Sequence, residues 1–312
     1  MIEIVKYNMK FKGDWDVFVI ESQKSTFLFR RDFVEYHSNR FKDHSLLFYL
    51  KGEIIGALPG NENGRVYHSH QGLTYGGLIH KKISATIVLE MFSSLLDYLK
   101  KQEFTKIIYK ALPFVFQSSF QQEDLYALSV KGFKLSRRDL SFVIDLKTTI
   151  YQSKDRRYRI NKSKKNNLVV EESTDFKSYM EIVNFNLQSK FKTTAVHSSS
   201  ELELLHTTFP TNIKLFLVYD IHKTILGGTV LFLDNDFVHT QYLHANAKGR
   251  ELNSTEFLVD YLCEHFSNKK YLSFGISTEN EGTYLNAGLT KFKEGFGGKG
   301  IVHDFYEKEL ND

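Results

Sequence analysis

Two stretches of the chain repeat one order of apolar and polar runs. In the first, Leu46 to Leu50 and Ile54 to Leu58 are apolar and break at Lys51-Gly52, which predicts a hairpin. In the second, Leu215 to Tyr219 and Ile225 to Phe232 break at Asp220 to Lys223, and Ile54-Ile-Gly-Ala matches Ile225-Leu-Gly-Gly. A third strand follows each hairpin, Val66 to His70 and then Phe237 to His244. Side chains alternate along a strand, so His68 is expected to share a face with His70, and His239 with Gln241. Ile87, Met91, Leu95 and Leu99 then fall at helical spacing, as do Phe257, Tyr261 and His265 with Leu258 and Leu262 alongside. Each helix leads to a buried strand, Lys106 to Lys110 and Lys270 to Gly275. Short helices are expected from Leu125 to Gly132 and from Thr283 to Gly288, each ending at a glycine suited to the left-handed C′ position. Residues 175 to 208 also read as helical. Hairpins first and crossovers later predict mixed, mainly antiparallel sheets, an α+β unit used twice. The expected boundaries are 1–146, a basic linker 147–165, and 166–312.

Length agrees with two medium domains, since the chain has 312 residues. Apolar residues at 42% and charged residues at 25% exclude a mainly disordered chain. A net charge of +4 is too small for an obligate nucleic-acid binder on bulk charge. The single cysteine, Cys263, excludes an intrachain disulfide and a cysteine metal cluster. The opening residues show no secretory pattern and no run of about 18 apolar residues occurs, so a cytoplasmic protein is expected, working there or at the inner face of the membrane.

The order of hairpin, third strand, helix after a Gly-containing loop, strand, short helix and Gly-Phe resembles the GNAT N-acyltransferase domain. Two such units in tandem resemble the Fem (FemABX-type) aminoacyltransferases. The linker Arg156-Arg-Tyr-Arg-Ile-Asn-Lys-Ser-Lys-Lys resembles the basic Fem segment before the second unit. Phe29-Arg-Arg-Asp-Phe-Val-Glu-Tyr-His, Ser69-His-Gln-Gly-Leu-Thr-Tyr-Gly-Gly and Gly275-Ile-Ser-Thr-Glu-Asn-Glu-Gly resemble Fem-like proteins of surface-polysaccharide synthesis. This resemblance implies two tandem GNAT-like units, with the acyl donor on the second and the acceptor on the first. Two departures stand out. No long heptad arm is present, and the acyl-CoA loop, usually Arg/Gln-x-x-Gly-x-Gly/Ala, reads Ala247-Lys-Gly-Arg-Glu-Leu-Asn-Ser.

An acyl-CoA pyrophosphate needs backbone N–H groups, a helix N-terminus and positive charge. Lys248, Gly249 and Arg250, with Asn253 or Ser254 as N-cap, are the candidate cradle; an ordinary capped helix after a basic turn is the plainer reading. Gly76 to Thr86 is its counterpart in the first half. For the transfer step the resemblance implies a Glu or His base and a Tyr acid, which fall on Glu279, His239 and Tyr284, the last in Tyr284-Leu-Asn-Ala-Gly-Leu. Candidate substrate contacts are Arg31, Asp32, Tyr36, His70, Gln71 and Tyr75 in the first half, and Gln241 and Tyr242 in the second. Most of these have an equally ordinary role in packing, capping or surface polarity. His68 and His70 lack a third ligand at recognisable spacing, so no metal is expected. Cys263 has no base nearby in sequence and is not expected to be a nucleophile.

The function expected from the resemblance is N-acyl transfer. Acetyl would pass from acetyl-CoA to an amine of an amino sugar, in a nucleotide-sugar or lipid-linked glycan precursor, by direct attack. Two alternatives stay open: aminoacyl transfer from charged tRNA to a cell-wall peptide, and a non-catalytic glycan-binding module. The oligomeric state is not readable.

Overall fold

The computed structural model describes residues 1–310. The chain divides into two compact units, neither continuous in sequence. Unit 1 comprises Met1–Leu140, Asn280–Tyr284 and the end of the chain from Val302; unit 2 comprises Ser141–Glu279 and Leu285–Ile301. Both are α+β with mixed, mainly antiparallel strand pairing.

Unit 1 contains β1 (Ile2–Lys6), α1 (Lys12–Glu21), α2 (Arg31–Glu35), β2 (Lys42–Asp43), β3 (Leu46–Leu50), β4 (Glu53–Leu58), β5 (Asn61–Asn63), β6 (Val66–His68), β7 (Ile79–His80), α3 (Ala85–Lys101), β8 (Lys106–Lys110), α4 (Glu123–Val130) and the first part of β9 (Lys134–Asp145). β1, β3, β4 and β7 form a four-stranded antiparallel sheet. The β3–β4 hairpin turns at Lys51 and Gly52, both at positive φ, as expected of a two-residue turn. Helix α3 starts at Ser84, whose side chain accepts from the Ile87 N–H, and carries Lys100 and Lys101 in its last turn. Its Val88, Met91, Phe92, Leu95 and Leu99 face the core with Phe48, Ile107 and Tyr109. A Cβ on Gly56 would lie 2.3 Å from Met91 Cε and 3.1 Å from the Ile79 carbonyl oxygen, so a side chain there would have to displace the tip of Met91.

Unit 2 holds the rest of β9, α5 (Lys154–Ser163), β10 (Val169–Ser173), α6 (Phe176–Phe191), α7 (Ser199–Thr208), β11 (Ile213–Tyr219), β12 (Ile225–Leu233), β13 (Phe237–Ala245), α8 (Ala247–Glu251), α9 (Ser254–His265), β14 (Tyr271–Ile276), β15 (Thr278–Glu279) and α10 (Ala287–Gly295). The short β16 (Tyr284–Leu285) and the long β17 (Lys299–Glu309) each begin in one unit and end in the other. β10 to β13 pair antiparallel in order, and β13 pairs parallel with β14. The basic segment expected as a linker forms α5, capped by Ser153, with Arg156 buried against Glu256 of α9.

The repeat is real but the first copy is interrupted. β12 is one strand of nine residues, whereas the first copy breaks at Pro59-Gly60 into β4 and β5. β13 is likewise continuous, whereas its counterpart splits into β6, which pairs with β5, and β7, which pairs with β4. The strand expected from Val66 to His70 therefore ends at His68. His70 lies beyond it at φ +66°, and the face expected for His68 and His70 does not form. A second expectation also changes. Tyr284 lies on a two-residue strand, and the helix begins later, at Ala287, because Asn286 accepts the Leu289 N–H and caps it there.

Candidate functional site

In unit 2, parallel pairing of β13 with β14 runs from Phe237↔Tyr271 to His239↔Ser273 and stops, although β13 continues to Ala245 and β14 to Ile276. Two irregularities accompany the fork. Gln241 is the extra residue of a bulge, since Val230 faces Tyr242 and Leu231 faces Thr240. Gly275 sits at φ +74°, where a side chain would be strained. The bulge also breaks the alternation expected to place His239 and Gln241 on one face. Strands that separate this way leave main-chain groups without a ladder partner, a common setting for binding an extended group.

His239 stands at the fork. It is buried, its Nδ1 lies 3.0 Å from Ser273 Oγ, and its Cε1 is 3.4 Å from where a Gly275 Cβ would be. Lys293 of α10 reaches the same place. Its ammonium donates to the carbonyl oxygens of Gly275 at 2.8 Å and Ile276 at 2.6 Å. Lys293 is 4% exposed, has no carboxylate partner, and burial pulls its pKa down from 10.5 to about 8. A buried lysine normally has a counter-ion; this one is held by two carbonyl dipoles and keeps a third N–H for something else. Its helix is held by a cluster of edge-on and tilted aromatics, Phe274, Phe292 and Phe296, with the Arg156 guanidinium over the last two at 4.8 and 4.4 Å. Glu279, just past the end of β14, is half-buried and accepts from Asn286 Nδ2 at 2.6 Å.

The structure thus gathers His239, Lys293 and Glu279 around the end of β14. Lys293 is not among the site residues expected from the sequence, where Lys291, Lys293 and Glu294 could line the end of a groove and the glycines of Gly295-Phe-Gly-Gly read equally well as turn chemistry. A lysine between Phe292 and Phe296 was the available signal, because aromatic neighbours at that spacing announce burial. Tyr284 is 53% exposed and falls in unit 1, and Tyr242 is buried with its hydroxyl 2.8 Å from His197 Nδ1. Burial raises the Tyr242 pKa, which leaves it a neutral structural hydroxyl. Burial likewise pushes the Cys263 thiol up to about 12, so it carries no thiolate at neutral pH.

The loop 246–254 is closed by its own contacts. Gly249 N–H donates to Asn246 Oδ1 at 2.8 Å, and Arg250, Leu252 and Asn253 N–H groups donate to carbonyls within the loop. Lys248 Nζ lies 2.5 Å from Asp220 Oδ2, and holds that carboxyl well below the usual carboxylate range. Arg250 donates to Ala245 O at 2.6 Å and Asn186 Oδ1 at 3.1 Å. Gly249 is required for another reason: a Cβ there would lie 2.2 Å from the Leu226 carbonyl. Asn253 is the N-cap of α9 at φ +56° and Ser254 Oγ is buried without a partner. Glu256 puts a carboxylate in the first turn. The two cations of the loop thus have partners within the protein, while Asn253 gives α9 no side-chain cap and leaves its first-turn amides uncapped.

In unit 1, Arg31 is 1% exposed and donates to Glu35, Ser45 and Asp43, with its guanidinium 3.6 Å from the Tyr7 ring centroid. Asp32 turns instead to Lys12. Tyr36, His37 and His70 stack in sequence, and burial with the neighbouring His37 keeps His70 neutral. Gln71 is bonded twice to Asn61, and Tyr75 is buried, stacked on Phe116. Among the described residues no group of three metal-ligating side chains occurs, and no helix is long and apolar enough to cross a membrane.

No family model and no curated protein matches the sequence. Solved structures do match, along nearly the whole chain. FemX superposes at a TM-score of 0.69 and 12% identity, over 99% of this chain and 98% of that one. L-PGS from Bacillus licheniformis gives 0.63 and 12%, over 96% and 92%. A tandem GNAT protein from the clavulanic acid biosynthesis pathway gives 0.54 and 10%, over 100% and 99%. The fold is therefore that of the tandem GNAT and FemX structures, a GNAT/Fem-like acyltransferase fold.

Proposed function

We propose that this protein is an N-acyltransferase of the Fem type, acting at the fork of β13 and β14 in unit 2, and that its acyl group arrives as an ester on tRNA. The acceptor is an amine of a cell-envelope precursor. The observation that carries this reading is Lys293, a buried ammonium with no counter-ion beside a main-chain opening. When an amine attacks an ester carbonyl, the C=O electron pair moves onto oxygen, and a positioned N–H donor lowers the barrier most at that moment. Lys293 supplies that donor. The C–N bond forms, the C–O bond to the ribose breaks, and the proton shed by the amine ends on the ribose oxygen.

One feature favours tRNA over acyl-CoA as donor. Helix α5 and the turn after it present Lys154, Arg157, Lys162 and Lys165 exposed and without an ion pair, next to exposed Tyr158. Four phosphate contacts would give log K against log salt a slope of about −3.

The test compares thermal shifts and binding for aminoacyl-tRNA, acetyl-CoA and CoA. Stabilisation by the charged RNA with that salt slope is expected. Stabilisation by acetyl-CoA with no response to RNA returns the donor to the thioester. If neither binds, the chain is a glycan-binding relative that has lost its donor site.

A further inference from the structure

A cavity of about 330 Å³ lies in unit 1 at the 76–86 segment, lined among others by Phe18, Glu21, His80, Lys81, Lys82 and Gln121. It sits where β7 ends and the chain turns toward α3. Its inner wall is unusual in what it lacks. His80 is 1% exposed; its Nδ1 lies 2.8 Å from the Lys81 carbonyl, which makes Nδ1 the protonated nitrogen and leaves a lone pair on Nε2. That Nε2 has no hydrogen-bond partner, and the nearest carboxylate oxygen, Glu123 Oε2, is 3.9 Å away and equally unpartnered. Gln121 is 6% exposed and its Oε1 is also without a partner. Buried acceptors of this kind need a donor.

The chemistry of those atoms selects the ligand. The dianion of a phosphate monoester brings acceptors only, so it cannot satisfy His80 Nε2 and Glu123 Oε2. A hydroxyl both donates and accepts, and suits the Gln121 amide in either orientation. At the rim Lys81 and Lys82 are exposed and carry no ion pair, so an acidic substituent is favoured there. The buried Phe18 ring supplies an apolar wall. We propose that this cavity binds a sugar phosphate, with ring hydroxyls turned in to His80 and Gln121 and the phosphate at Lys81 and Lys82.

The proposal does not depend on acyl transfer, and binding is read without turnover. The full chain is titrated with N-acetylglucosamine 1-phosphate, glucose 1-phosphate, N-acetylglucosamine and inorganic phosphate, by calorimetry and by the imidazole NMR signals of His80. A sugar phosphate should bind at least ten-fold tighter than inorganic phosphate and move the His80 signals. Gln121→Leu should weaken it ten-fold or more. The surface pair Lys81→Ala/Lys82→Ala, which leaves the interior untouched, should remove the preference for phosphate-bearing over free sugar. Equal affinity for inorganic phosphate would show an anion site only and overturn the proposal. So would binding indifferent to both variants, or none of the four probes binding.

Discussion

Lys293 donates to the carbonyl oxygen of Gly275 at 2.8 Å, tying α10 to the end of β14 at the residue that also borders His239. A buried cation held by dipoles alone is costly, and the proposed transfer would form its oxyanion beside this one. Replacing it with methionine keeps the aliphatic stem and removes the charge. Lys293→Met should lower kcat by about 100- to 1,000-fold, the range for loss of one oxyanion donor. The melting temperature should stay level or rise. A variant with full activity would remove Lys293 from the mechanism.

The same lysine sets a pH dependence. Its pKa in the folded protein is lowered to about 8 by burial, so the ammonium is present below that value and is lost as pH rises through it. The rate of the transfer step should therefore fall above about pH 8. In Lys293→Met this limb should disappear from the pH–rate profile. Stability moves the other way: the unfolded chain keeps the proton up to about pH 10.5, so the cost of burying this group shrinks as pH rises between the two values.

Arg31 tests a different point. Its guanidinium is buried beneath the Tyr7 ring and bonded to Glu35 and Asp43, which are partly exposed. Arg31→Ala should cost about 3 kcal/mol in urea unfolding, the lower end of the range for breaking a buried pair. Substrate KM in the surviving folded fraction should be unchanged. A raised KM with unaltered stability would instead make Arg31 a substrate contact.

Gly249 should prove structural. A Cβ there meets a backbone carbonyl at 2.2 Å, which cannot move as a side chain tip would. Gly249→Ala should destabilise unit 2 by about 1–3 kcal/mol, as overpacking does. If the melting temperature holds while donor affinity drops, the loop binds donor after all.

Much of the fold was legible because its signals are local. Lys51-Gly52 between two apolar runs gives β3 and β4; Ser84 before Ile87, Met91, Leu95 and Leu99 gives a capped α3. The site was less so. His239 stood out as a strand histidine, but its partner Ser273 lies 34 residues on, and Lys293 gains its meaning only from Gly275 and Ile276. The Gln241 bulge is a mismatch between two strands, so neither strand records it alone. Pro59-Gly60 could have warned that β4 would not run on as β12 does, since proline cannot donate within a ladder.

By itself the amino-acid order settled the duplicated α+β plan, the hairpins and the helix starts, because two- and four-residue spacings act between neighbours along the backbone. Only the tertiary structure decided which charges are spent. Lys248 meets Asp220 28 residues away, and Arg156 meets Glu256 across 100. Lys293 meets no acid among the described residues. Whether a cation is neutralised or left to act depends on what packs beside it, and distance along the chain says nothing of that.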